Sequence, residues 1–194
     1  MLHGTQKIGR YWFNIQDYEE RGLCQTCRDD ETMEHILTNC VHSTNSTIWK
    51  CAIDMWPYEE GTWPNITLGT IVGCNALSVE TTREIKGRDG SLQREKHQDQ
   101  GATRLLKILI SESAYLIWTL RCERTICGKD HTEREVTASW RKIINRRLSE
   151  DKTTATKVLR RKSYISLVKS TWKAALRKRH RDLPEDWINR NVVF

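Results

Sequence analysis

Residues 23–40 read LCQTCRDDETMEHILTNC, and they place Cys24, Cys27, His35 and Cys40 within one short stretch. A Cys-x-x-Cys pair aims two thiolates at one ion from a tight turn, and a His and a Cys from the next helix and its exit can complete a tetrahedron. Three sulfurs and one nitrogen favour Zn2+, and four protein ligands leave no open position for a reactive water. The expected site is therefore a structural staple. Two rival readings are scattered reduced thiols and a Cys-x-x-Cys redox pair, but a redox pair calls for a βαβ pattern and gives His35 and Cys40 no task. The residues between the ligands suit a short helix. Asp29 or Asp30 is placed to cap it, Glu31 and Glu34 favour its first half, and Met33, Ile36 and Leu37 form an apolar edge. His35 is then expected on the last turn, with Cys40 just beyond it. His42 and Cys51 are near enough in sequence to substitute as ligands.

The net charge of +7 hides a division along the 194 residues. Residues 1–80 hold 5 Lys and Arg against 11 Asp and Glu, whereas residues 81–194 hold 27 against 14. Within 141–181 there are 15 basic residues, and the only acids are Glu150 and Asp151. Such an excess predicts a polyanion surface, with Arg146, Arg147, Arg160, Arg161, Lys162, Lys169, Lys173, Arg177, Lys178, Arg179 and Arg181 on phosphates of RNA or DNA. The bland alternative is a solvated helix face. Arg160 to Lys162 and Arg177 to Arg181 also fit the loose pattern of nuclear import signals.

Composition divides the chain into three regions. Residues 1–78 carry the cysteine cluster and many aromatics and predict a small compact module. Residues 79–102 form a charged, Gly-punctuated stretch expected to be a flexible linker. Residues 103–194 are helical by pattern, with about three helices. The first runs from Thr103 to about Thr125 and is apolar nearly all round. The second opens with a capping box at Thr132 and Glu135 and shows a stripe of Val136, Trp140, Ile143 or Ile144, and Leu148. The third carries Val158, Leu159, Ile165, Val168, Trp172 and Leu176 and is stopped before Pro184. Ile66 to Val72 is the best short strand pattern. The expected fold class is mainly α, a zinc-stapled N-terminal module followed by a helical basic C-terminal region.

Cys24-x-x-Cys27, then Glu31-Thr32-x-Glu34-His35-Ile36-Leu37 and Cys40, resembles the zinc-binding domain found after the reverse transcriptase of non-LTR (LINE-type) retrotransposons. Lys7-Ile8-Gly9-Arg10-Tyr11-Trp12 before it, and Trp49 and Trp56 after it, are similar to copies in fungal element-derived proteins, so the likeness covers about residues 7–57. Ser111 to Trp118 and Leu120 to Arg124 look like the helical tail of the same proteins. The resemblance implies a C-terminal fragment of an element polyprotein whose partners are nucleic acid and the missing upstream domains. No polymerase aspartate pair or ribonuclease H carboxylate set is evident, so the chain is expected not to be an enzyme. No Gly-rich loop or G-x-S-x-G motif occurs either.

No run is apolar enough to span a membrane, and the N-terminus lacks a signal-peptide core, so an intracellular site, nuclear or cytoplasmic, is expected. Most of the eight tryptophans, Trp140 and Trp172 among them, read as core anchors rather than stacking platforms. Cys74, Cys122 and Cys127 read as buried thiols. Two further readings compete with nucleic-acid binding: a protein-interaction scaffold using the apolar helix 105–120, and a decayed element fragment without a function.

Overall fold

A computed structural model of the chain describes residues 6–59, 61–86, 91–157 and 162–194. The fold is mainly α, as the helical periodicity predicts. Its α-helices are α1 (Arg10–Phe13), α2 (Ser43–Met55), α3 (Leu68–Val72), α4 (Gln100–Cys127), α5 (Glu133–Lys157) and α6 (Lys162–Arg179). Strands β1 (Glu80–Lys86) and β2 (Leu92–Gln98) precede α4 and pair antiparallel, Glu80 opposite Gln98 and Lys86 opposite Leu92. The stretch expected to be a flexible linker thus holds a two-stranded hairpin and the first turn of α4. Ile66 to Val72, expected as a strand, holds α3 instead, because the Thr67 hydroxyl accepts from the Thr70 amide and starts a helical turn.

Helix α4 is the axis of the molecule. It packs on α2, α3, α5 and α6 and on the turn that carries His35. Its residues Leu105, Leu109, Ile110 and Ile117 are fully buried, as an all-round apolar helix requires. Asp99 caps its start by accepting from the Ala102 amide at 2.8 Å. Gly128 ends it in the left-handed region at φ 64°, donating to the Arg124 carbonyl. Near the start, a Cβ on Gly101 would lie 2.5 Å from the Ser170 main chain, so glycine is what lets α4 and α6 approach this closely. The apolar face of 105–120, offered by the scaffold reading to a partner, is covered within the chain; Tyr115 is its exposed large side chain.

Helix α5 opens as expected. The Thr132 hydroxyl accepts from the Glu135 amide at 3.3 Å, and the Glu135 carboxylate accepts from the Thr132 amide at 2.8 Å. Val136, Trp140, Ile144 and Leu148 form its buried stripe, and Val168, Trp172 and Leu176 that of α6. Val158 and Leu159, assigned to the α6 stripe by the pattern, lie outside the described residues. Between the helices sits a buried carboxylate. Asp151 accepts two bonds from the Arg104 guanidinium, at 2.6 and 2.7 Å, and one from the Trp172 indole at 2.6 Å. Burial opposes the charge on Asp151, but these donors outweigh it and hold the carboxyl below its ordinary range. Among the described residues no helix is long and apolar enough to cross a membrane.

Candidate metal centre and basic face

A tight turn presents the first two thiols. The Cys24 amide donates to the Asp29 carbonyl and the Arg28 amide to the Cys24 carbonyl, both at 2.8 Å, while Leu23 and Asp30 form a β-bridge across the base. Closing the turn this tightly puts Arg28 at φ 62°, in the left-handed region. Asp29 and Asp30 are therefore parts of this turn through their main chains. The helix cap expected from them comes from Thr32, whose hydroxyl accepts from the His35 amide at 3.0 Å.

His35 and Cys40 bracket a π-helical turn, His35–Asn39, in which the Cys40 amide donates to the His35 carbonyl at 2.8 Å. In an α-helix of 3.6 residues per turn, side chains five apart diverge. The wider i to i+5 turn brings them back to one side, and π-turns of this kind recur at functional sites. His35 thus opens the turn rather than sitting on its last residues. Helix α2 supports the distortion: Asn45 donates to the Ile36 carbonyl at 2.7 Å and Trp49 to the Leu37 carbonyl at 3.0 Å.

These two pieces bring all four expected ligands together. One ligand atom from each of Cys24, Cys27, His35 and Cys40 lies within 4.8 Å of every other. The Cys40 sulfur is 3.6 Å from that of Cys24 and 3.9 Å from that of Cys27. A tetrahedral ion bonded to sulfur at about 2.3 Å demands a sulfur–sulfur separation of about 3.8 Å, so the thiols already stand at coordinating distance. His35 Nε2 is buried and has no hydrogen-bond partner. An orphaned buried nitrogen costs about 1–3 kcal/mol, a loss that ligation would relieve. The residues present can therefore hold a metal.

The thiols cannot all ionise unaided. Burial works against the Cys24 thiolate, but hydrogen bonds from the main chain of Cys27 and Thr26 help to overcome it, and the thiol comes down to about 7. Burial and the adjoining Cys24 charge push Cys40 up to about 12. A bound cation would remove this conflict by stabilising every thiolate at once. His42 and Cys51, the proposed substitutes, are elsewhere. His42 caps α2 by accepting from the Thr44 amide at 3.3 Å, and Cys51 lines a cleft beside α5 and α6.

Sequence reasoning missed the tie that seats this module. Glu31 and Arg121 are 3% and 4% exposed and form a two-pronged ion pair, one prong being Arg121 Nε to Glu31 Oε1 at 3.0 Å. Glu31, expected only to favour a helix start, joins the metal turn to α4. The two residues are 90 positions apart, so no local pattern signals the pair. Cys74 and Cys122 are half-buried and Cys127 is exposed, so none is the buried thiol expected. Cys127 is the last residue of α4.

The basic residues divide into several groups. Arg146 and Arg147 pair with Glu112 and Glu150, which removes much of their positive field. Lys178 donates to the Asp54 and Trp56 carbonyls at 2.7 and 2.9 Å and so caps α2. Lys162, Lys169, Lys173 and Arg177 fall on one side of α6 by helical spacing. Of these, Lys173 and Arg177 reach the exposed Glu185 at 3.6 and 3.8 Å. Arg179 and Arg181 are exposed at its end. Arg160 and Arg161 lie outside the described residues. No protein-family model, curated protein or solved structure matches the chain.

Proposed function

We propose that the chain is a non-catalytic zinc-binding module that binds RNA or DNA through its basic C-terminal helices and derives from the C-terminus of a non-LTR retrotransposon protein. The observation that carries the reading is the set of three thiols at coordinating distance with the unpartnered buried Nε2 of His35 beside them. Zinc suits a closed site of three sulfurs and one nitrogen, where it would neutralise the thiolates and fix the turn. The sequence likeness of residues 7–57 supports the element origin. The charge excess of 141–181 supports a phosphate-backbone partner, with Lys162, Lys169, Lys173, Arg177, Arg179 and Arg181 as the basic groups that face solvent or only an exposed acid. Contacts of this kind bind with little sequence preference.

Metal analysis of protein purified without added zinc tests the first half. About one equivalent is expected, lost in Cys24→Ser; less than half an equivalent in the unaltered protein overturns it. Nucleic-acid affinity measured against salt tests the second half. It should fall linearly on logarithmic axes with a slope of roughly −0.7 to −0.9 per phosphate neutralised. A flat response, or unchanged affinity in Lys169→Gln/Lys173→Gln/Arg177→Gln, overturns the phosphate reading.

A further inference from the structure

Where the end of α2 meets α5 and α6 there is an open cleft of about 260 Å³. Its floor is apolar, with Met55, Trp140, Ala175 and Phe194, and its rim carries Arg141 and Arg179. Both arginines are exposed, and neither has an ion-pair partner among the described residues. The remaining cation, Lys178, is committed to the α2 carbonyls, which also cancels the negative end of that helix. Among the described residues lining the cleft, Arg141, Lys178 and Arg179 stand against the Asp54 carboxylate and the terminal carboxylate of Phe194, so the mouth keeps a small positive excess. The Phe194 amide donates to Asn145 at 2.7 Å, and one Phe194 carboxylate oxygen accepts from Asn145 at 3.2 Å.

We infer that this cleft binds a nucleoside monophosphate group, either free or at the end of a strand. A guanidinium presents a planar fork of donors that matches phosphate oxygens, and two such groups lining one mouth can share a phosphate. The floor beneath them has no polar side chain to satisfy, which suits the flat face of a base or the apolar side of a ribose. At about 260 Å³ the cleft is on the scale of a single nucleotide. Inorganic phosphate alone would leave the floor uncovered. Cys51 lines the same cleft and is half-buried, so occupancy would shield its sulfur. Only Arg179 is shared with the backbone-phosphate surface proposed above, so the two ideas can fail separately.

The test uses the full chain with its metal bound and three probes: adenosine monophosphate, inorganic phosphate, and a ten-nucleotide single strand with a 5′-phosphate. Calorimetry should show adenosine monophosphate binding at least about tenfold more tightly than phosphate, and Arg141→Gln and Arg179→Gln should each weaken it about tenfold or more. Adenosine monophosphate should also slow alkylation of Cys51, followed by mass spectrometry, while leaving the exposed Cys127 unaffected. Protection of Cys51 by the 5′-phosphorylated strand, but not by its unphosphorylated counterpart, would identify a strand end as a ligand; protection by the free nucleotide alone would identify the mononucleotide. Equal affinity for phosphate and the nucleotide, or nucleotide binding unchanged in both arginine variants, overturns the inference. Strand binding that persists in Arg141→Gln with no mononucleotide binding overturns it too, yet leaves the backbone reading standing.

Discussion

The two ends of α4 are held by the same device in different settings. Near its start, Arg104 grips Asp151 amid three long helices whose apolar stripes are already buried against one another. Near its end, Arg121 grips Glu31 in a module built of short turns, where the buried side chains include Cys24 and Cys40. The first pair joins elements that possess a core of their own. The second joins a small module to that core, and short turns cannot bury enough surface to order themselves without a further constraint. The difference teaches where this protein depends on single interactions: strongly in the metal-ligand module, weakly among α4, α5 and α6.

The sharpest break in the comparison is removal of the metal that the Cys24, Cys27, His35 and Cys40 cluster is proposed to hold. Chelation, or Cys24→Ser, should abolish protection from amide hydrogen exchange across residues 22–42 while α4 to α6 stay protected, because binding energy of about 10–16 kcal/mol for a structural zinc is folding energy for the segment that holds it. Loss of protection throughout the chain would show that the halves are one cooperative unit.

Arg121→Ala comes next. It strands the Glu31 carboxylate where water does not reach, and should cost about 3–5 kcal/mol in chemical denaturation. Arg121→Met combined with Glu31→Leu should recover most of that loss, since the desolvation penalty disappears with the charges.

Asp151→Asn should cost less, about 3 kcal/mol at most, because Arg104 keeps a route to solvent, its side chain being 24% exposed. The pH dependence carries the sign. Asp151 titrates lower in the folded chain than in the unfolded one. Its contribution is therefore complete above about pH 4, the ordinary carboxylate range, and is lost as pH falls through the depressed folded value. Urea midpoints measured from pH 6 downward should show an acid limb that is shallower in Asp151→Asn.

The smallest expected effect is that of Thr132→Ala, which removes the capping box of α5 and should cost about 1 kcal/mol with the metal site untouched. A drop in metal affinity in this variant would mean that the halves communicate through α5 as well as through α4.

How much of this was legible in the sequence follows the range of the interaction. The ligand set is legible because Cys24, Cys27, His35 and Cys40 lie within one turn and one helical step of each other. The stripes of α5 and α6 and the Thr132 cap are legible because helical periodicity is local. The β1–β2 hairpin is not legible. Glu80, Leu92, Arg94, Glu95 and Lys96 are exposed, so the described side chains of the strands give no alternating pattern to read. Thr32 as the cap, in place of Asp29 or Asp30, depends on how the first Cys turn closes, and composition does not record that.

By itself the sequence determined that a Cys/His cluster able to hold a metal precedes a bundle of amphipathic helices, because residue spacing and apolar period act between residues a few positions apart. Only the tertiary structure decided which charges are free. It spent Lys178 on the end of α2, Arg104 on Asp151 and Arg121 on Glu31, and it left Arg141 and Arg179 open at one cleft. A charge run in sequence states how many cations there are. Which of them meet a carboxylate, a carbonyl or water is settled by contacts across many tens of residues, where only packing brings the partners together.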